Sequence, residues 1–568
     1  MSTVEPRPEG IGSGSRPGPR RALRLAVALS ALPLLALTPK EFIGFDAFWH
    51  VFIARQDTWH AFWDEIHRNA HPPLFYLLLK GAISAFGSNF PAYRLVSVAA
   101  TLGSAWLVGR IVEETSGRPW MPAIAAFAFG TSLTTVTIGL DVRAYALGTF
   151  FMLWATLALL DLVRRSFGAP GHAARVTFAL AASLALLTHY AAALFLLACC
   201  VTAAVLTVVD RDYRHGLLAN GRRHGLANLL TLGAPLAVLA VEYGVHIGSW
   251  SGRIHHVSPF FFDPGREGRF EFVWRNTREL FSLFAPALDH RPFASTLAVA
   301  EPPLAGWAVD LLVVSFAAAV GWLAFAPSRH REAVRRAPPI LLLAMVGLLV
   351  AAALLGRYPY GGWPRHQYFL FPFVVVALAL LIDRAARRIG RAAGLAVTLF
   401  ALASLLNTAS WVSRFRSTEG YLMQTRINRF RELFPAPELV YVDQFALIHV
   451  FTHYQDRPWR LHHTSDEPSI DVWRVGGTGP RGFYVCRDRR QWLLDFSRRL
   501  SYRNLRGCLV ATGVREAAVL RLQQPRRTAN WPVERTEELA ARQAEISGLK
   551  VETVVVDAED LYASFARR

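Results

Sequence analysis

Long apolar runs alternate with short, arginine-bearing connectors along most of the chain. Runs at 25–38, 90–112, 120–140, 145–163, 176–187, 191–209, 227–245, 304–325, 340–355, 369–382 and 392–411 predict membrane spans, most of them near the roughly 20 residues a helix needs to cross a bilayer. That gives a polytopic α-helical membrane protein of about eleven spans. The stretch 44–80 breaks the pattern. From Ala47 to Asn69, the aromatics Phe48, Trp49, Phe52, Trp59, Phe62 and Trp63 are interspersed with charges, which predicts amphipathic helices lying flat in the membrane interface. The run 72–86 is short for a span and predicts a re-entrant or interfacial helix. After about Ser413, β-rich runs at 438–443, 482–486, 508–512 and 551–556 alternate with helical ones at 489–500 and 557–567. This predicts a soluble α/β domain. The expected organisation is a tail at 1–20, a transmembrane domain at 21–412 and an appended domain at 413–568.

Composition supports this division and removes some functions. With 53% hydrophobic residues among 568, the chain is too apolar for an ordinary soluble protein. Its formal charge of +19 is not a nucleic-acid footprint, because the arginines fall in clusters between apolar runs rather than on one soluble face. Arg110 and Arg118, Arg164, Arg165 and Arg175, and the clusters at 211–223, 329–336 and 384–391 all fall on the side of the amino-terminal Arg20, Arg21 and Arg24. The positive-inside rule makes that side cytoplasmic and the carboxyl-terminal domain extracytoplasmic. The first run, short and basic at its front, has some signal-peptide character, but it reads as an uncleaved first span because the later runs continue the same alternation. The tail at 1–20, rich in Pro, Gly, Ser and Arg, reads as disordered. Cys199 and Cys200 sit in an apolar run, whereas Cys486 and Cys508 are the pair available for a disulfide in an oxidising compartment. There is no internal repeat, no zinc-ligand spacing and no phosphate-binding glycine motif.

Candidate chemistry gathers on the extracytoplasmic face. Asp46 follows the first run, with His50 one helical turn on. Asp46 suits a helix N-cap, and equally a general base that accepts a proton from an attacking hydroxyl. His71 precedes Pro72 and Pro73, a rigid helix start whose histidine is placed to hydrogen-bond a substrate. Arg143 and Tyr145 lie between two runs, where the guanidinium either snorkels to headgroups or clamps a phosphate. Thr188, His189 and Tyr190 interrupt a run too long for one span, and therefore form a tight turn whose aromatics serve as interface anchors or line a site. Arg365 and His366 stand on the outer side against the charge bias, which suits an anionic lipid phosphate.

In combination, the acidic residue after the first span, the histidine a turn later, Ala54-Arg55, His71-Pro-Pro-Leu, Arg143-x-Tyr145, Thr-His189-Tyr190 and the late Arg365-His366-x-Tyr-x-x-x-Pro resemble the C-type glycosyltransferases. The likeness is to the protein-mannosyltransferase and lipid A aminoarabinose-transferase type, particularly the bacterial relatives, and it covers about residues 21–411. The resemblance implies transfer of a sugar, usually with inversion, from a polyprenyl-phosphate carrier to an extracytoplasmic glycan, lipid or protein, at a bacterial plasma membrane. It places Asp46 at the catalytic acidic position, His50, Arg55, His71, Arg143, Tyr145, His189, Tyr190, Arg365 and His366 in substrate binding, and no cofactor beyond the lipid-linked donor. Where relatives commonly carry Asp-Glu, this chain has Asp46-Ala47. Asp46 is thereby the sole base candidate, and dependence on a divalent metal stays open. Two alternatives remain: a flippase or transporter of a lipid-linked intermediate, which would more usually place charges at mid-membrane and show internal symmetry, and a non-catalytic lipid-binding relative.

Overall fold

A computed structural model describes residues 17–39, 45–69, 71–168, 171–248, 261–284, 306–326, 333–361, 364–389, 438–442, 447, 460–464, 469–476, 483–488, 502–522, 550–557 and 561–567. The amino-terminal part is helical: α1 (Pro17–Leu37), α2 (Phe45–Ala54), α3 (Trp59–His67), α4 (Leu74–Phe86), α5 (Phe90–Thr115), α6 (Met121–Thr131), α7 (Leu133–Leu140), α8 (Ala144–Arg164), α9 (His172–Leu186), α10 (Ala191–Val209) and α11 (Arg211–Glu242). After α11 come a π-helical turn (Tyr243–Ile247), α12 (Arg269–Phe284), α13 (Gly306–Phe325), α14 (Ala333–Leu354), the single turn α15 (Pro364–Gln367) and α16 (Phe371–Ile389). Among the described residues, seven helices are long and apolar enough to cross a membrane, and an eighth if the bent pair α6–α7 is one span. The chain is a polytopic helical membrane protein. Helices α1 and α9 cover two further predicted runs, while the run 392–411 lies outside the described residues.

Local chemistry explains where these helices begin and bend. Asn89 caps α5 by accepting from the Ala92 amide at 2.9 Å, and Asp210 caps α11 through the Tyr213 amide at 2.9 Å. The run 120–140 forms two helices at 58° to each other, because Ser132 leaves helical geometry and its hydroxyl accepts from the Thr135 amide at 3.2 Å. The arginine-rich stretch 211–223, expected as a connector, is helical and continuous with the following span, with its irregularity confined to His224. Arginine is a good helix former, so polarity alone did not end the helix.

The carboxyl-terminal part is a seven-stranded mixed sheet of β1 (Leu439–Val442), β2 (Arg460–His463), β3 (Ile470–Gly476), β4 (Phe483–Asp488), β5 (Glu516–Leu522), β6 (Lys550–Asp557) and β7 (Leu561–Arg567), in the order β2-β3-β4-β1-β5-β7-β6. Strand β1 pairs in parallel with β4 and β5, and the other pairs are antiparallel. The two-residue period of a strand separates the faces cleanly. Leu439, Tyr441, Ile470, Val472 and Cys486 pack under α17 (Tyr502–Thr512), whereas Val440, Val442, Trp473, Val475 and Val485 join the core of the helical part. A disulfide links Cys486 to Cys508.

Three sequence expectations are corrected here. Residues 508–512 are helical rather than extended. Leu505, Cys508 and Leu509, at helical spacing, are the residues that α17 buries. In the segment expected as a helix at 557–567, residues 561–567 form strand β7, held between β5 and β6. The expected helix at 489–500 lies outside the described residues. The third correction concerns α2: instead of lying flat on the interface, it is enclosed, with Phe48, Trp49 and Phe52 buried. Trp59 and Trp63 of α3 remain exposed, as an interfacial helix requires.

Candidate active site

The site forms where four turns converge. Leu74, the first residue of α4, donates its amide to the Leu187 carbonyl at 3.0 Å, which ties the His71-Pro72-Pro73 turn to the turn between α9 and α10. With no amide on Pro72 or Pro73, this bond anchors the helix start across elements. His71 and His189 are thereby neighbours, their rings 5.6 Å apart. Gly148 on α8 permits the approach, since a Cβ there would sit 3.1 Å from the His189 Cβ. The same helix brings Tyr145, its ring 5.2 Å from His189 and 5.8 Å from His71. Arg143, just before α8, lies over the Tyr145 ring at 4.9 Å and directs Nη2 to His71 Nε2 at 3.3 Å. From α2, His50 closes the group, 5.3 Å from His71 and stacked on Tyr76 at 4.9 Å.

The fourth turn carries Arg365 and His366. Tyr358 donates its hydroxyl to the His366 carbonyl at 3.0 Å, and Gln367 Nε2 donates to the Pro359 carbonyl at 2.8 Å. Gly361, at φ +81°, turns the loop over Asn276 of α12, and Tyr360 meets Thr277 at 2.8 Å. His366 is near enough for its charge to act on His71.

Hydrogen bonding fixes the protonation of two histidines. Arg143 donates to His71 Nε2, so that atom is the acceptor and Nδ1 bears the hydrogen. The Ala191 amide donates to His189 Nδ1 at 3.1 Å, which leaves His189 Nε2 as an N–H donor. Burial, then the charge of Arg143, pushes His189 down to about 3, and burial with Arg143 and the neighbouring histidines holds His71 well below its usual range. Both rings are therefore neutral at physiological pH, beside a fixed guanidinium. The sign follows from linkage: the unfolded chain takes up protons below about pH 6.5 that the folded site refuses. The neutral-site contribution is complete above that pH and is lost towards pH 3. Lowering the pH from 7.5 to 5.5 is expected to depress the melting temperature of the detergent-solubilised protein, and His189→Gln should lose part of that dependence. A wild-type melting temperature unchanged over this range would contradict the assignment.

The other sequence candidates fall apart spatially. Arg55 donates to the Tyr93 hydroxyl at 3.2 Å, next to Ser88, and burial brings its guanidinium down to about 10. Tyr190 turns away from its neighbour His189, and its hydroxyl bonds His246 of the π-helical turn, which also contacts the Ile66 carbonyl at 3.0 Å. Asp46 falls in the first turn of α2, and its side chain lies outside the described residues. Sequence reasoning missed Tyr76 and Tyr358. Tyr76 is fully buried, with its hydroxyl unbonded among the described residues, and Arg143 is close enough to act on it. No group of three or more His, Cys, Asp or Glu side chains with metal-binding geometry occurs among the described residues.

The crystal structure of ArnT from Cupriavidus metallidurans bound to undecaprenyl phosphate matches with a TM-score of 0.51 at 13% identity, covering 95% of this chain and 97% of that one. The chain shares the fold of that ArnT structure. An Archaeoglobus fulgidus oligosaccharyltransferase in complex with zinc and sulfate matches more loosely, at a TM-score of 0.45 and 12% identity over 88% of this chain and 67% of that one. The Saccharomyces cerevisiae protein O-mannosyltransferase Pmt1-Pmt2 complex bound to its sugar donor gives 0.32 and 16% identity over 44% of this chain and 36% of that one. By sequence, no protein family and no curated protein matches the chain. Within this fold, the residues brought together are His50, His71, Arg143, Tyr145, His189 and His366.

Proposed function

We propose that the chain is a membrane glycosyltransferase that takes a sugar from a polyprenyl-phosphate carrier and attaches it to an extracytoplasmic glycan, lipid or protein. The observation that carries this reading is Arg143, braced by His71 and Tyr145 beside His189 where the turns converge. The planar fork of a guanidinium suits two phosphate oxygens. The His189 Nε2–H and the Tyr76 hydroxyl supply further donors. That ArnT binds undecaprenyl phosphate within a similar fold supports the same class of lipid here.

In this reading, Asp46 takes the proton from the acceptor hydroxyl as its oxygen attacks the anomeric carbon. The bond from that carbon to the phosphate oxygen breaks, its electron pair stays with the polyprenyl monophosphate, and Arg143 stabilises that charge as it develops. Attack from the face opposite the phosphate inverts the anomeric configuration. The arginine clusters at 110–118, 164–175, 211–223 and 384–391 support a cytoplasmic amino terminus and an extracytoplasmic site in a bacterial plasma membrane. The division at about residue 413 follows from the same reading, with the sheet as the extracytoplasmic domain.

Undecaprenyl phosphate added to the protein in lipid nanodiscs is expected to bind with 1:1 stoichiometry by native mass spectrometry, and to outcompete an uncharged polyprenol of equal length. Equal binding of the two lipids would remove the phosphate-recognition basis of the proposal.

A further inference from the structure

The role of the carboxyl-terminal sheet follows from one buried contact. Arg487 of β4 is almost completely buried, yet it places Nη2 2.6 Å from Glu65 Oε1 of α3 and 3.0 Å from Asp471 Oδ2 of β3. Arg68 bonds the same Asp471 oxygen at 3.0 Å and also Asp64 at 2.7 Å. The Arg487 guanidinium lies near the rings of Trp49, Phe52 and Trp473, at 5.8, 5.9 and 5.1 Å. Phe52 meets Trp473 edge-on at 5.3 Å, and Trp473 Nε1 donates to Gln56 Oε1 at 3.3 Å.

Trp49 and Phe52 stand at i and i+3 on one stripe of α2, and Gln56 follows just beyond its end. The sheet grips α2 along that stripe. Residues 46 and 50 form a neighbouring stripe, and His50 is the α2 side chain seen against His71, Phe75 and Tyr76. Rotation of α2 about its axis therefore sets where His50 points. A buried ion network is a poor source of net stability, because desolvation offsets its attraction, but it is directional where an apolar contact is not.

We infer that Arg487 is a positioning residue for the active site: by holding Glu65 and Asp471 and lying against Trp49 and Phe52, it fixes the rotation of α2 that turns His50 towards His71. The sheet thus completes the site through its grip on α2.

Removing Arg487 alone would leave the buried Glu65 and Asp471 carboxylates to share Arg68, so the test neutralises the set together in the variant Glu65→Gln/Asp471→Asn/Arg487→Met. Diethyl pyrocarbonate labelling followed by peptide mass spectrometry reads the position of His50, which is buried in the native protein, as are His189 and His246. In the variant, His50 is expected to label at least about tenfold faster, the gain expected when a buried group opens locally, while His189 and His246 stay protected. A protected His50 overturns the inference. Simultaneous labelling of all three histidines also overturns it, by assigning the network to global stability.

A kinetic arm rests on the reading of the site as a sugar-transfer centre. There, kcat should fall by about 100-fold, as small misplacements at a reacting centre do, with KM for the lipid donor little changed because Arg143 belongs to another element. An unchanged kcat with exposed His50 counts against the catalytic consequence. Absence of transfer in the wild type, with the labelling pattern as expected, would overturn the proposed function and leave the positioning of α2 standing.

Discussion

Asp46→Asn is expected to slow sugar transfer by about two to four orders of magnitude, the usual contribution of a positioned general base, with lipid affinity and melting temperature close to wild type. The substitution keeps the size and much of the hydrogen bonding of the side chain while removing its ability to accept a proton at neutral pH. Because Ala47 follows Asp46, no adjacent carboxylate is present to substitute for it. The measurement is single-turnover transfer from a purified polyprenyl-phosphate sugar, with the donor saturating, so that binding does not enter the rate. A rate within a few-fold of wild type would show that another group takes the proton.

Arg143→Ala is expected to act on the donor instead. Truncating one member of a buried, charge-assisted contact costs about 2–5 kcal/mol, so affinity for undecaprenyl phosphate should fall by about two orders of magnitude or more. The transfer rate at saturating donor should fall as well, since the leaving phosphate then lacks its counter-charge. Arg143→Lys should recover part of the affinity and less of the rate, because an ammonium restores charge without the planar fork. Titration of the variants with the lipid in nanodiscs separates the two effects. Loss of affinity for the uncharged polyprenol to the same extent would point to collapse of the turn that His71 and Arg143 share.

The helical part was legible because each span is continuous in sequence and its apolar length alone identifies it. The sheet was less legible. Strand β7 and helix α17 are short segments of mixed polarity, and their conformations are decided by what they pack on: β7 by the strands on either side, α17 by the sheet face that receives Leu505, Cys508 and Leu509.

The site was partly legible for a related reason. His71, Arg143, Tyr145, His189 and His366 stand at turns or helix starts, where a polar residue beside an apolar run is conspicuous, and His50 lies one helical turn after Asp46. The resemblance grouped Arg55 with His50, five positions earlier. Five positions on a helix, however, turn the side chain by about 140°, and Arg55 meets Tyr93 instead. Tyr76 went unnoticed because its neighbours Phe75 and Leu79 make it look like core; only its unbonded hydroxyl near Arg143 marks it. The partners of α2, Trp473 and Arg487, lie too far along the chain for any local pattern to announce them.

That distance has a consequence for how the protein comes into being. Glu65 and Arg487 meet across 422 residues of sequence, so the ribosome finishes every described membrane helix before it makes the strand that seats α2. Contacts of such separation form late, after the intervening chain has been ordered. A nascent or truncated chain sits in the bilayer with its lipid-facing helices in place and its reaction centre unfinished. Completion awaits the last stretch of the polypeptide.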